Sequence, residues 1–167
     1  MKGKYAPVPK TGQTASYGAG DDGAWQKGVA WPTPRFTDNG NGTVTDNLTG
    51  LIWMKSANSF VNRTWDQALS DANGLKSGDA GLTDGSKAGD WRLPHIREVE
   101  SVVDCGTYNP ALPAGHPFTG VQTTYYWSST TRVDVTDYAW SVHFNSGTNY
   151  IMPKSSSFRV WCVRGGP

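Results

Sequence analysis

The side chains with the greatest chemical capacity in this chain are two cysteines, three histidines and a few carboxylates. Their spacing decides what they can do together. Cys105 and Cys162 are far apart in sequence. Brought together by the fold they would form one disulfide, worth roughly 4 kcal/mol in the chain-entropy model; otherwise they are two buried free thiols. His95, His116 and His143 show no metal-binding spacing, so no zinc signature is present. His143, on the outward face of a predicted strand, reads as a ligand contact or as an ordinary exposed residue. The run Asp38-Asn39-Gly40-Asn41-Gly42-Thr43 superficially matches an acidic calcium loop. It lacks the alternating register and the distal bidentate glutamate of such loops, and a hairpin turn accounts for it better. Asp79, Asp84 and Asp90, in a Gly-rich loop, are weak calcium candidates whose default is solvation. No other cofactor is expected.

Glu98 and Glu100 lie two residues apart on a predicted helix and point in different directions. They do not make the facing carboxylate pair of glycoside hydrolysis; Glu98 is better suited to tethering a neighbouring loop or Arg92. No nucleophile elbow, phosphate-binding loop or dinucleotide fingerprint occurs. The chain is therefore expected not to be an enzyme. The C-terminal third offers recognition instead. Tyr125, Arg132, Asp134, Asp137, Tyr138, His143, Asn145, Asn149, Tyr150, Lys154, Ser155 and Ser157 combine aromatic faces with hydrogen-bonding groups. Sugars stack on such rings and meet planar polar groups with their hydroxyls, and protein partners use the same combination. Trp127, Trp140, Phe144, Phe158 and Trp161, in the strand motifs, are expected in the core.

These residues must be positioned by a domain of 167 residues, enough for one core. Charged residues are only 17% and the net charge is +1, which gives no field for nucleic acid. No apolar run approaches a transmembrane length, so direct membrane insertion is not expected. Met1-Lys2-Gly3-Lys4-Tyr5 begins like a signal n-region, but no apolar stretch follows it. Twenty glycines and ten prolines predict a loop-rich chain with few helices.

Asn39-Gly40-Asn41-Gly42 predicts a hairpin between strands at 35–38 and 43–46, and Leu51-Ile52-Trp53-Met54 completes a three-stranded meander. Thr64 and Gln67 predict a capping box, opening a helix with Trp65, Ala68, Leu69, Ala72 and Leu75 inward. Residues 76–90 read as a surface loop. Pro94 sits in the first turn of a second helix, with Ile96, Val99, Val102 and Val103 inward and Arg97, Glu98 and Glu100 more exposed. From Tyr125 onward the pattern is a mostly antiparallel sheet. Trp140, Val142 and Phe144 face one side, and Ser141, His143 and Asn145 the other. Residues 1–28 form an arm that is either loosely ordered or docked through Tyr17 and Trp25.

The motifs Asp38–Asp46, Thr49-Gly50-Leu51-Ile52-Trp53, Thr64–Leu69, Asp90-Trp91-Arg92-Leu93-Pro94 with Glu98, Tyr126–Thr130, Ala139-Trp140 and Val163-Arg164-Gly165 resemble, in order, the Lcl C-terminal domain family. That family is named for a collagen-like adhesin of Legionella. Arg92-Leu93-Pro94 before a Glu-bearing helix also looks like the formylglycine-generating-enzyme branch of the C-type lectin-like fold. That branch uses a cysteine pair near the C-terminal end of the domain, where this chain has only Cys162. The resemblance implies an α+β domain of C-type lectin-like fold over residues 29–167, with two helices on small twisted antiparallel sheets. It further implies a non-catalytic recognition module of a secreted or surface bacterial protein, binding glycans through the C-terminal sheet and loops. The alternative is a protein-binding or structural surface, appendage or phage receptor-binding subunit. The expected partner is a glycan or protein ligand on another cell or surface, and a homo-oligomer fits either reading.

Overall fold

A computed structural model describes residues 8–165. The Met1–Tyr5 reading, the first residues of the arm and the terminal Gly166 and Pro167 fall outside the described residues. In chain order the elements are α1 (Asp22–Trp25), β1 (Phe36–Asp38), β2 (Thr43–Asp46), β3 (Ile52–Met54), α2 (Trp65–Gly74), α3 (Ile96–Ser101), β4 (Tyr125–Thr131), β5 (Tyr138–His143), β6 (Thr148–Pro153) and β7 (Val163–Arg164). They form an α+β domain with two small antiparallel sheets, ordered β1-β2-β3-β7 and β4-β5-β6.

The meander forms as its turn chemistry dictates. Asn39 N–H donates to the Thr43 carbonyl at 3.0 Å, and Gly40 and Gly42 take φ of 72° and 84°, a region that penalises a Cβ. Asp38 lies opposite Val44 in the antiparallel β1–β2 register, which makes the Asp38–Thr43 run a hairpin, and its carboxylate pairs with Lys55 at 2.7 Å. The final strand departs from the expected single C-terminal sheet. β7 leaves β4–β6 and pairs with β3, with Trp53 opposite Val163, so the last residues complete the first sheet.

In α2 the Gln67 side chain accepts the Thr64 N–H at 3.1 Å, while Ala68 and Ala72 are buried. α3 is shorter than its pattern, because Val102 and Val103 lie beyond its end. His95 is its N-cap, so Pro94 precedes the helix and does not sit in its first turn. Glu98 is buried, against expectation, because it has two tasks. Its carboxylate accepts the His95 N–H at 2.8 Å and grips both terminal nitrogens of Arg92 at 2.6 Å.

Trp161 is the hub of the core. Its ring lies 4.7 Å from Phe118, 5.1 Å from Trp53 and 5.7 Å from Phe144. Most of the buried indoles find a partner for their N–H, Trp53 being the exception. Trp161 donates to the Met54 carbonyl, Trp127 to that of Arg63, and Trp91 to the Ser86 hydroxyl, all within 2.9 Å. The loop at 76–90 is thereby less peripheral than its composition suggests, since Leu82 and Ser86 are buried.

The arm docks, but not through the expected rings. Tyr17 is 87% and Trp25 61% exposed. Its contacts are made by backbone and by Trp31. Val29 N–H donates to the Val8 carbonyl and Lys10 N–H to that of Val29. Cys105 N–H reaches the Thr11 carbonyl at 2.8 Å, and Trp31 donates to the Lys10 carbonyl at 2.9 Å. The Trp31 ring lies over the Arg35 guanidinium, which bonds the buried Asp46 carboxylate through two nitrogens. Gly12 approaches so closely that a Cβ there would sit 2.0 Å from the Asp104 carboxylate.

Candidate functional site

The register of β4, β5 and β6 sorts the predicted surface residues. Tyr125 lies opposite His143, and Ser141 opposite both Trp127 and Tyr150, so these share one face. At the end of that face Tyr125 collects three rings: His143 at 4.4 Å, Tyr150 edge-on at 5.2 Å and Phe158 at 5.0 Å. Tyr125, His143 and Phe158 are half-buried and Tyr150 is 41% exposed. Asn145, Ser155 and Ser157 are exposed in the flanking turns. Three of the twelve predicted residues thus meet in one corner, where Tyr125 also contacts Phe158, a ring assigned to the core.

The remainder is dispersed. Tyr138, opposite Pro153, lies at the other end of β5. Arg132 and Asp134 pair with each other at 2.6 and 2.7 Å in the β4–β5 connection. There Arg132 holds the Asp134 carboxyl below its ordinary range. The Asp137 carbonyl accepts the Lys154 N–H, and the Lys154 ammonium stands 3.9 Å from the Trp65 ring centre. Asn149 is on the reverse face, where its amide meets Glu100 of α3. The alternation predicted for β5 holds for Val142, His143, Phe144 and Asn145 but fails at its centre. Ser141 is fully buried and Trp140 only half-buried. The reason is coverage from both sides: Trp65 of α2 donates to the Ser128 carbonyl at 2.8 Å, while α3 packs on β4 and β5.

The expected disulfide is absent. Cys162 is enclosed in the core, where burial pushes its thiol far up, and its carbonyl accepts the Met54 N–H. Cys105 is exposed on the loop beneath the arm, its thiol also raised, chiefly by burial and then by Asp104 and Asp22. One thiol packs inside while the other borders solvent, so the cysteine juxtaposition required by formylglycine-type chemistry does not arise. The calcium candidates also separate. Asp84 faces Arg164 at 3.0 Å and accepts from Ser86, Asp90 accepts the Lys87 N–H, and Asp79 lines a hollow beside Asp71. Among the described residues no three His, Cys, Asp or Glu side chains gather to hold a metal. Of the histidines, His95 caps α3, while burial lowers the pKa of His116.

The Asp90–Glu98 motif has become a clamp, the tryptophan motifs have become the core, and the meander is closed by the Val163-Arg164 strand. The family model described as the Lcl C-terminal domain matches residues 42–164. The chain belongs to the Lcl C-terminal domain family. Membership suggests a domain of an adhesin-like surface protein. A comparison with curated proteins finds no significant match. The arm, with the adjoining segment to Trp31, precedes the span matched to the Lcl C-terminal domain, and two grooves lie against it. They measure about 500 and 420 Å³, with Lys10 and Trp31 shared by both. The sequence points to Tyr17 and Trp25 as the anchoring rings of this region, whereas Trp31, followed by Pro32, is the ring that lines both grooves.

Proposed function

We propose that this Lcl C-terminal domain is a non-catalytic recognition module that binds glycans at the corner formed by Tyr125, His143, Tyr150 and Phe158. The observation that carries the reading is the set of ring contacts around Tyr125, 4.4–5.2 Å, on a face otherwise covered by α2 and the 154–158 segment. Packed aromatics that remain partly open to solvent give apolar area at little cost in side-chain entropy. The exposed Asn145, two residues from His143, and Ser157, next to Phe158, offer donors and acceptors beside these rings. A shallow site of this kind binds weakly alone and gains from repeated display on a surface.

The test is a glycan array probed with the domain and with a Tyr125→Ala, His143→Ala, Tyr150→Ala variant, each with and without calcium. Binding lost in a folded variant supports the reading, and silence from the wild type overturns it. A second reading is favoured by β6, an edge strand whose first half is exposed. An unpaired edge suits a protein partner that adds a strand. A partner that binds equally well after the triple substitution and fails on Asn149→Pro would replace the glycan reading.

A further inference from the structure

The groove of about 420 Å³ between the arm and α3 falls within the size range of small-molecule sites. Both of its walls are held. On the arm side Val8, Pro9 and Lys10 are tied to Val29, and Trp31 to the Lys10 carbonyl. On the body side Gly147, at φ 73°, lets the β5–β6 turn approach Val103 so closely that a Cβ would meet it at 2.5 Å. The groove is therefore a built cleft between two docked segments.

Its chemistry is mixed in a definite way. Val8, Pro9, Trp31 and Val103 give apolar and aromatic surface. Its charged lining residues are Lys10, Arg97 and Glu100, two cations against one anion. Glu100 is already satisfied, by Arg97 at 2.7 Å and by the Asn149 amide. Arg97 uses one nitrogen for that pair, and neither Lys10 nor the rest of its guanidinium has an acidic partner among the described residues. An apolar cleft with surplus cationic donors at its edge is complementary to an apolar body bearing one carboxylate.

We propose that this groove is a second binding site, separate from the aromatic corner, and that it takes small monocarboxylates with a hydrophobic ring or chain. The carboxylate pairs with Arg97 and Lys10, and the apolar body lies against Trp31 and Val103. Cys105, on the groove wall, supplies a reporter, because Cys162 is fully buried and only Cys105 is exposed to a thiol reagent.

The test titrates the full chain with phenylacetate, and in parallel with the neutral 2-phenylethanol, reading backbone amide NMR shifts and the rate of Cys105 modification. Phenylacetate is expected to give saturable shifts confined to residues 8–11, Trp31 and its neighbours, 97–105 and 147–149, and to slow modification of Cys105. The alcohol should bind at least about tenfold more weakly, the range for losing a charge-assisted hydrogen bond. Arg97→Gln, at a side chain 80% exposed, should weaken phenylacetate by a similar factor, while Lys76→Gln, outside the groove, should leave it unchanged. No saturable response, equal binding of acid and alcohol, shifts at another surface, or an equal loss in Lys76→Gln would each overturn the proposal.

Discussion

The two sheets use aromatic residues to opposite ends. In β1-β2-β3-β7 the tryptophan of β3 is fully buried, and the charged groups answer one another inside, with Asp46 accepting from Arg35, Leu48 and Thr49. In β4-β5-β6 Tyr126 and Trp127 are buried, yet Tyr125, Trp140, His143 and Tyr150 stay partly open. Residue type therefore does not separate scaffold from surface. What separates them is whether an element lies across the ring. Much of the family's recognisable pattern is architecture, and of the open rings only Tyr125 and His143 lie at the ends of strands.

Mutation should widen that contrast. Trp161→Ala removes the ring shared by Trp53, Phe118 and Phe144 and should cost about 3–5 kcal/mol in chemical denaturation, or abolish folding. A cost under about 1 kcal/mol would mean the hub is not a hub. Glu98→Gln should cost about 1–2 kcal/mol at neutral pH, discounted because the Arg92 side chain is 40% exposed. For Glu98, burial alone raises the carboxyl's pKa; Arg92 and the His95 N–H outweigh it, so the folded value lies below 4.5. A depressed folded pKa makes this contribution full above the unfolded value and lost as pH falls through the folded one. The wild type should lose stability over that acidic window, and Glu98→Gln should flatten the dependence. At the open end, Tyr150→Ala should change stability by less than about 1 kcal/mol, since that ring is partly solvated, while reducing glycan capture. The smallest structural effect is expected from Cys105→Ser, with an unchanged melting temperature and complete loss of thiol labelling in the folded protein.

Local rules were legible wherever a pattern carried its own geometry. Asn39 to Gly42 specified a hairpin, Thr64 with Gln67 a capped helix, and Glu98 a tether for Arg92. What could not be read was which side of a strand would be covered. Ser141 and Trp140 exchange their expected roles because α2 and α3 lie on opposite faces of one sheet, a tertiary fact absent from the alternation itself. The cysteines illustrate the same limit, since an even count says nothing about distance. The candidate site was legible as a composition across 125–157, but of those residues only the rings of Tyr125, His143 and Tyr150 converge. Lys154 and Asn149 were drawn to Trp65 and Glu100 by neighbours remote in sequence.

The pairing of β7 with β3 bears on how the domain assembles. Trp161 bonds the Met54 carbonyl across 107 residues, and the strand that follows it finishes the meander begun at Phe36. Contacts this distant repay their loop-closure entropy only late, which slows folding and makes it depend on long-range encounter. Until Val163 arrives, β3 presents an unpaired edge beside unburied indoles, so a nascent chain of this design has most need of a chaperone just before its last strand is available.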